Sequence, residues 1–162
     1  MGGVLSLTAA AQFPVRGVVA MSTPYSLPAL SIPLWMARFL SLFKPYMPKG
    51  KDPARGWFDP VAYAQHVSYP MNPVRSAVEL KLLMEQMHAA LPKIQVPVLL
   101  IHSRDDDYVV KYSMEQIYKA LVNSDRQMLW VEGGGHVITE EPTRETVFKA
   151  AVDFVQRVSR PA

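Results

Sequence analysis

Two short segments hold the residues whose types and spacing could do chemistry: Ser103-Arg104-Asp105-Asp106-Asp107-Tyr108-Val109 and Glu132-Gly133-Gly134-Gly135-His136-Val137, each following a buried-looking apolar run. A carboxylate that accepts a hydrogen bond from one imidazole nitrogen fixes the tautomer and leaves the other nitrogen free to take a proton from a nucleophile. His136 suits that role, because the three glycines before it let the backbone turn tightly and project the ring. Taken alone, the histidine also reads as an ordinary loop residue and the aspartates as a solvated acidic loop. The pattern by itself leaves open which of the three carboxylates would be the partner. A metal site is not expected, since consecutive residues of an extended chain point apart and no oxygen-ligand spacing follows. No cofactor is implied. His102 ends a strand-like run and could point towards the same site, although packing or a backbone hydrogen bond is the preferred account and it is not taken as catalytic, and His66 and His88 show no ligand pattern.

The elements that must position these groups are legible in part. Residues 2–12, rich in alanine, read as a helix ended by Phe13-Pro14, because the residue before proline is pushed out of the helical region. Residues 15–21 and 96–101 read as strands buried on both faces, and 127–131 as a third short strand. Ser113 is placed to cap a helix running to Leu121, and 142–158 form a last amphipathic helix with acidic residues before and in its first turn. Strands alternating with helices imply a parallel α/β sheet, and function in such sheets gathers at the carboxyl ends of the strands.

Between Pro24 and Pro92 the texture changes, with most of the fourteen prolines and no clean strand alternation. Residues 33–47 look helical and apolar on most faces, with Arg38, Ser41 and Lys44 as the polar stripe. Residues 74–90 read as a second helix with Val78, Leu82, Met84 and Met87 as buried positions. The segment 24–92 is expected to be a helical insertion.

Composition bounds the rest. With 49% apolar and 19% charged residues in 162, the chain should fold around a core. Its net charge of +3 is scattered, which argues against a nucleic-acid footprint. The absence of cysteine excludes disulfides, thiolate zinc sites and a thiol nucleophile, and fits a reducing, cytoplasmic setting. No basic residue precedes Arg16, so the start does not read as a secretory signal, and the longest apolar-dominated stretch, 32–43, is well short of the roughly 20 residues a membrane span needs.

Together, Met1-Gly2-Gly3, the run Val98 to Val109 and Gly135-His136-Val137-Ile138-Thr139 resemble the carboxyl-terminal part of the α/β-hydrolase fold. The resemblance is to the carboxylesterase and monoacylglycerol lipase branch, of serine aminopeptidase S33 type. It covers essentially the whole chain and makes 1–162 a partial α/β-hydrolase domain with 24–92 as its cap. The family's acid loop, small-x-x-Asp-x-x-Val, falls on Ser103, Asp106 and Val109 and so implies Asp106 as the acid, with His136 as the base. Its nucleophile elbow, Gly-x-Ser-x-Gly, does not occur in the chain; Met1-Gly2-Gly3 would be the three residues after that serine, with the Met1 backbone N–H as an oxyanion donor.

What the resemblance implies is hydrolysis of carboxylic esters in a longer parent by a Ser-Asp-His mechanism, without catalysis by this chain alone. Within the cap, Leu34, Trp35, Met36, Phe39, Leu40 and Phe43 offer apolar surface for an acyl chain, with Trp35, Met36, Phe39 and Phe43 as the substrate-binding candidates. The expected partner is a small acyl ester, with neither nucleic acid nor stable membrane insertion. Three strands are few for a parallel sheet, so neighbouring strands are expected to be missing and the chain to aggregate when made by itself. Peptidase or acyltransferase activity, or a non-catalytic binding role, are the rival expectations.

Overall fold

The computed structural model describes residues 1–27, 33–49 and 54–160. Its centre is a parallel sheet of β1 (Val18–Met21), β4 (Val98–Ser103) and β5 (Arg126–Val131), in the order β1-β4-β5. The expectation of an α/β fold with a parallel sheet holds. All six residues of β4 are buried, and their alternation separates two cores. Val98 and Leu100 face Val4 and Leu7 of α1 (Gly2–Ala10), Met84 and Met87 of α4 (Val74–Ala90) and Ile117 of α5 (Tyr112–Ala120). Leu99 and Ile101 face Val147 and Phe154 of α6 (Arg144–Ser159). Helices therefore cover both faces of the central strand, and the loops beyond its carboxyl end meet over the sheet edge.

Several elements differ from expectation for identifiable reasons. The first strand begins at Val18 rather than residue 15, since its partner begins after Pro97, whose carbonyl accepts from the Val18 N–H at 2.9 Å but which has no N–H to extend the ladder. Helix α2 (Leu34–Phe43) stops short of residue 47, because Pro45 forces Lys44 out of the helical region. Beyond it, β2 (Tyr46–Pro48) pairs antiparallel with β3 (Met71–Pro73), two strands too short to show alternation in the sequence. Ser113 does not cap: α5 starts one residue earlier, and the Ser113 hydroxyl is buried inside its first turn with no hydrogen-bond partner among the described residues. In α4, Val78, Met84 and Met87 are buried as expected, whereas Leu82 is half-buried and Ala90 takes its place in the core. α3 (Pro60–Gln65) is capped by Asp59, whose carboxylate accepts from the Val61 and Ala62 N–H groups. Residues 28–32 and 50–53 of the expected insertion, and the side chains of Leu34 and Leu40, lie outside the described residues. Among the described residues no helix is long and apolar enough to cross a membrane.

Candidate active site

β4 ends on His102 and Ser103, and the chain then doubles back, with the Asp106 N–H donating to the Ser103 carbonyl at 3.4 Å. Asp106 is thereby turned under the sheet end, its side chain fully buried. Its Oδ1 accepts from the Tyr108 and Val109 N–H groups at 2.8 and 2.9 Å. Its Oδ2 accepts from His136 Nδ1 at 2.8 Å and from His102 Nε2 at 3.1 Å. Burial alone would push this carboxyl up, but the hydrogen bonds from His102 and His136, the positive charge His136 can carry and the Val109 N–H outweigh it and hold the group well below the usual carboxylate range. The neighbours do other work: Asp105 accepts from the Gly133 N–H at 2.7 Å, and Asp107 pairs with Arg55 at 2.9 Å. Of the three adjacent carboxylates, the structure brings Asp106 to His136.

The histidine loop leaves β5 through Gly133, whose φ of +77° is the left-handed conformation that favours glycine. Ser103 Oγ donates to the Gly134 carbonyl, and Ser22 Oγ donates to the His136 carbonyl at 2.8 Å. Ser22 sits at the end of β1 with φ +44°, a strained position for a residue with a side chain. With Nδ1 held by a carboxylate that can only accept, His136 carries its proton there and presents Nε2 for proton transfer. The ring is about one-third exposed and lies 5.6 Å from that of Tyr108.

Residues 55–66 are fastened over these loops. Glu141, fully buried, accepts from the Phe58 and Asp59 N–H groups at 3.1 and 3.2 Å. Glu140 accepts from His66 Nδ1 at 2.9 Å, and the His66 ring lies 4.9 Å from that of Trp57. Gly135 packs so closely on Gly56 that a Cβ there would come within 1.7 Å of the Gly56 carbonyl oxygen. Between the two layers is a cavity of about 1180 Å³, with Met1, Tyr108 and His136 on one wall and Trp57, His66 and Tyr69 on the other. Met1 stands at the N-terminus of α1, so the positive end of that helix opens on the same space as the histidine.

Asp106, His136 and Met1 are thus brought together. Trp35, Met36, Phe39 and Phe43 are not: none of them lines this cavity, and Trp35, Phe39 and Phe43 are largely exposed. Residues 35, 39 and 43 share one face by their spacing of four, and that face of α2 turns to solvent while the helix packs against α4. His102 is packed against Trp130 as expected, but its hydrogen-bond partner is the Asp106 carboxylate rather than backbone, the alternative in which it points towards the site. Sequence reasoning missed Ser22 and Glu141. A serine ending a strand carries no local signal of a left-handed turn, whereas an acidic residue five positions after the histidine, at the mouth of a helix, was visible but was read only as helix-end charge. Among the described residues no cluster of three acidic or histidine side chains is arranged to hold a metal.

The profile of the family described as serine aminopeptidase, S33 matches residues 1–143. The chain belongs to that family. A structure of the metagenome-derived lipolytic enzymes LipS and LipT superposes on this S33 chain with a TM-score of 0.79 at 26% identity, over 97% of this chain and 62% of that one. The monoacylglycerol lipase of Paleococcus ferrophilus gives the same TM-score at 21% identity, over 97% of this chain and 65% of its own, and so shares the α/β-hydrolase fold. The carboxylesterase of Bacillus subtilis (strain 168) is 24% identical over 159 residues, 98% of this chain and 61% of that relative. The S33 chain therefore spans about three-fifths of the length of the relatives it matches.

Proposed function

We propose that the whole protein is a carboxylic ester hydrolase of carboxylesterase or monoacylglycerol lipase type, in which a serine directly preceding Met1 is the nucleophile. The observation that carries this reading is the 2.8 Å hydrogen bond from His136 Nδ1 to the buried Asp106 carboxylate, with the His136 ring facing the cavity. His136 Nε2 takes the serine proton as the hydroxyl attacks the ester carbonyl, and Asp106 holds the ring and stabilises the imidazolium. The oxyanion accepts from the backbone N–H of Met1, the residue at the N-cap of α1. Collapse of the tetrahedral intermediate passes the proton from His136 to the leaving alcohol, and water then releases the acid by the same route.

Residues 24–92 act as the cap. The three contacts from Arg55, His66 and the Phe58–Asp59 backbone to Asp107, Glu140 and Glu141 support that role. The acyl group lies in the cavity against Leu27, Leu80 and Val109 rather than on the outer face of α2.

The test is hydrolysis of 4-nitrophenyl esters of increasing acyl length by the whole protein and its His136→Ala variant. Loss of about 10³-fold or more in kcat is expected. Activity that survives His136→Ala sinks the reading. Because the family description names an aminopeptidase, an aminoacyl 4-nitroanilide is run beside the esters, and a preference for it transfers the same machinery to amide cleavage.

A further inference from the structure

Resting on the reading just given, we propose that His102 is a positioning residue of this site, donating Nε2–H to the same Asp106 oxygen that holds His136. The proton must lie on Nε2, since the carboxylate 3.1 Å away can only accept. Nδ1, also buried, has no hydrogen-bond partner among the described residues. A buried imidazole with one nitrogen committed and the other unmatched is a costly way to fill a core, and an apolar side chain of similar size would avoid that cost. The commitment of Nε2 explains the choice.

The geometry is built in. On β4, His102 is the register partner of Trp130 on β5, and the two rings stack with centroids 5.7 Å apart at 28°. The stacking fixes the ring plane, and the reversal at Ser103 brings Asp106 back to Nε2. Four donors then meet the carboxylate: two N–H groups on Oδ1 and two imidazoles on Oδ2. That number saturates its lone pairs and leaves no freedom to rotate about the Cβ–Cγ bond. His102 thereby shares the oxygen whose negative charge stabilises the His136 imidazolium and keeps that oxygen aimed at Nδ1.

The charged groups around this pair are engaged elsewhere. Arg104 lies 4.7 Å from the Trp130 ring centroid and pairs with Glu132 at 3.2 Å. Asp105 holds the Gly133 N–H, Asp107 holds Arg55, and Glu141 holds the insertion backbone. Loss of His102 should therefore be felt at His136 through Asp106.

The experiment compares His102→Gln, whose amide nitrogen can occupy the position of Nε2, with His102→Leu, which fills similar space without a donor, in the whole protein. The readout is kcat/KM for one 4-nitrophenyl ester across pH. His102→Gln should stay within about threefold of the parent, and His102→Leu should fall about ten- to a hundredfold, the effect of one hydrogen bond to a charged group. In His102→Leu the acid limb of the profile should also move to higher pH, because Oδ2 then serves His136 alone. Equal activity and superimposable profiles for the Gln and Leu variants overturn the proposal, as does equal loss in both. His136→Ala measured in parallel separates the two readings: if it is inactive while both His102 variants match the parent, the role of His102 fails and the hydrolase reading stands. Should His102→Leu not fold, ¹⁵N chemical shifts of the histidines in the unmodified protein decide. Nε2–H at His102 is expected, and the Nδ1–H tautomer there refutes the proposal.

Discussion

Replacing Gly135 by alanine tests whether the insertion and the histidine loop are packed as one unit. The added Cβ would lie 1.7 Å from the Gly56 carbonyl oxygen, 2.9 Å from its carbon and 3.0 Å from Glu141 Oε1. A carbon–oxygen contact needs about 3.3 Å, so one backbone must give by roughly 1.5 Å. The backbone of Gly135 itself is not in the left-handed region, so alanine adds steric conflict without dihedral strain. The hydrogen bonds from Phe58 and Asp59 to Glu141, at 3.1 and 3.2 Å, have no slack for that displacement. Overpacking of this kind costs about 1–3 kcal/mol. A shift of about 1 Å transmitted to His136, the next residue, would lower kcat/KM by as much as about 10²-fold. Urea unfolding and 4-nitrophenyl butyrate hydrolysis of the whole protein measure both quantities. Gly133→Ala is the comparison, since no atom lies within 4 Å of its Cβ position but its φ is +77°, so it should lose about 1–2 kcal/mol through strain alone. A Gly135→Ala protein that unfolds at the parental midpoint with unchanged kcat/KM would refute the close packing of these loops.

Other consequences can be measured in the same protein. Asp106→Asn replaces an acceptor of four hydrogen bonds by an amide and frees His136 to adopt the wrong tautomer, so kcat should fall by about 10³–10⁴-fold; a loss below tenfold in steady-state kinetics would contradict the assignment. Because folding lowers the Asp106 pKa, its contribution to stability is intact above the unfolded value of about 4 and is lost as pH falls from there through the lower folded value; urea midpoints should drop more steeply below pH 4 in the parent than in Asp106→Asn. Glu141→Ala removes the buried acceptor of the Phe58 and Asp59 N–H groups and should cost about 1–3 kcal/mol, with faster proteolysis in the 54–59 loop; unchanged cleavage there would argue against the fastening. A Cβ on Gly3 would meet Thr23 Oγ1 at 1.9 Å, so Gly3→Ala should be destabilising and Thr23→Ala should partly rescue it, whereas strict additivity in a double-mutant cycle would exclude the contact.

The parallel sheet was readable because its strands are short, largely apolar runs between helical segments, and α4 because seventeen residues give its apolar period room to show. Strands of three residues such as β2 and β3 give no such signal. The acid loop and the histidine loop were legible through their order after two strands, whereas the choice of Asp106 among three adjacent aspartates came from the family resemblance. His102 was visible but underrated, because nothing in an apolar strand announces that its last polar side chains will meet a carboxylate four residues on. The position of the α2 aromatics away from the cavity was not legible, because apolar surface in a sequence says that something is to be covered and says nothing about where the helix will lie.

The loop from Gly133 to His136 is held at each residue by a different part of the chain. Asp105 takes the amide of Gly133, Ser103 the carbonyl of Gly134, Gly56 the flank of Gly135, and Ser22 the carbonyl of His136. The hydrogen-bonding partners are separated in sequence by 28 to 114 residues. Closing such distances costs chain entropy before any contact compensates, which places this loop among the last parts of the molecule to assemble in refolding and among the first to loosen in denaturant. Hydrolysis should accordingly lag the return of helical structure after dilution from urea and should fade before the sheet melts, so that turnover reports the completeness of the fold more sharply than any spectroscopic signal from its helices.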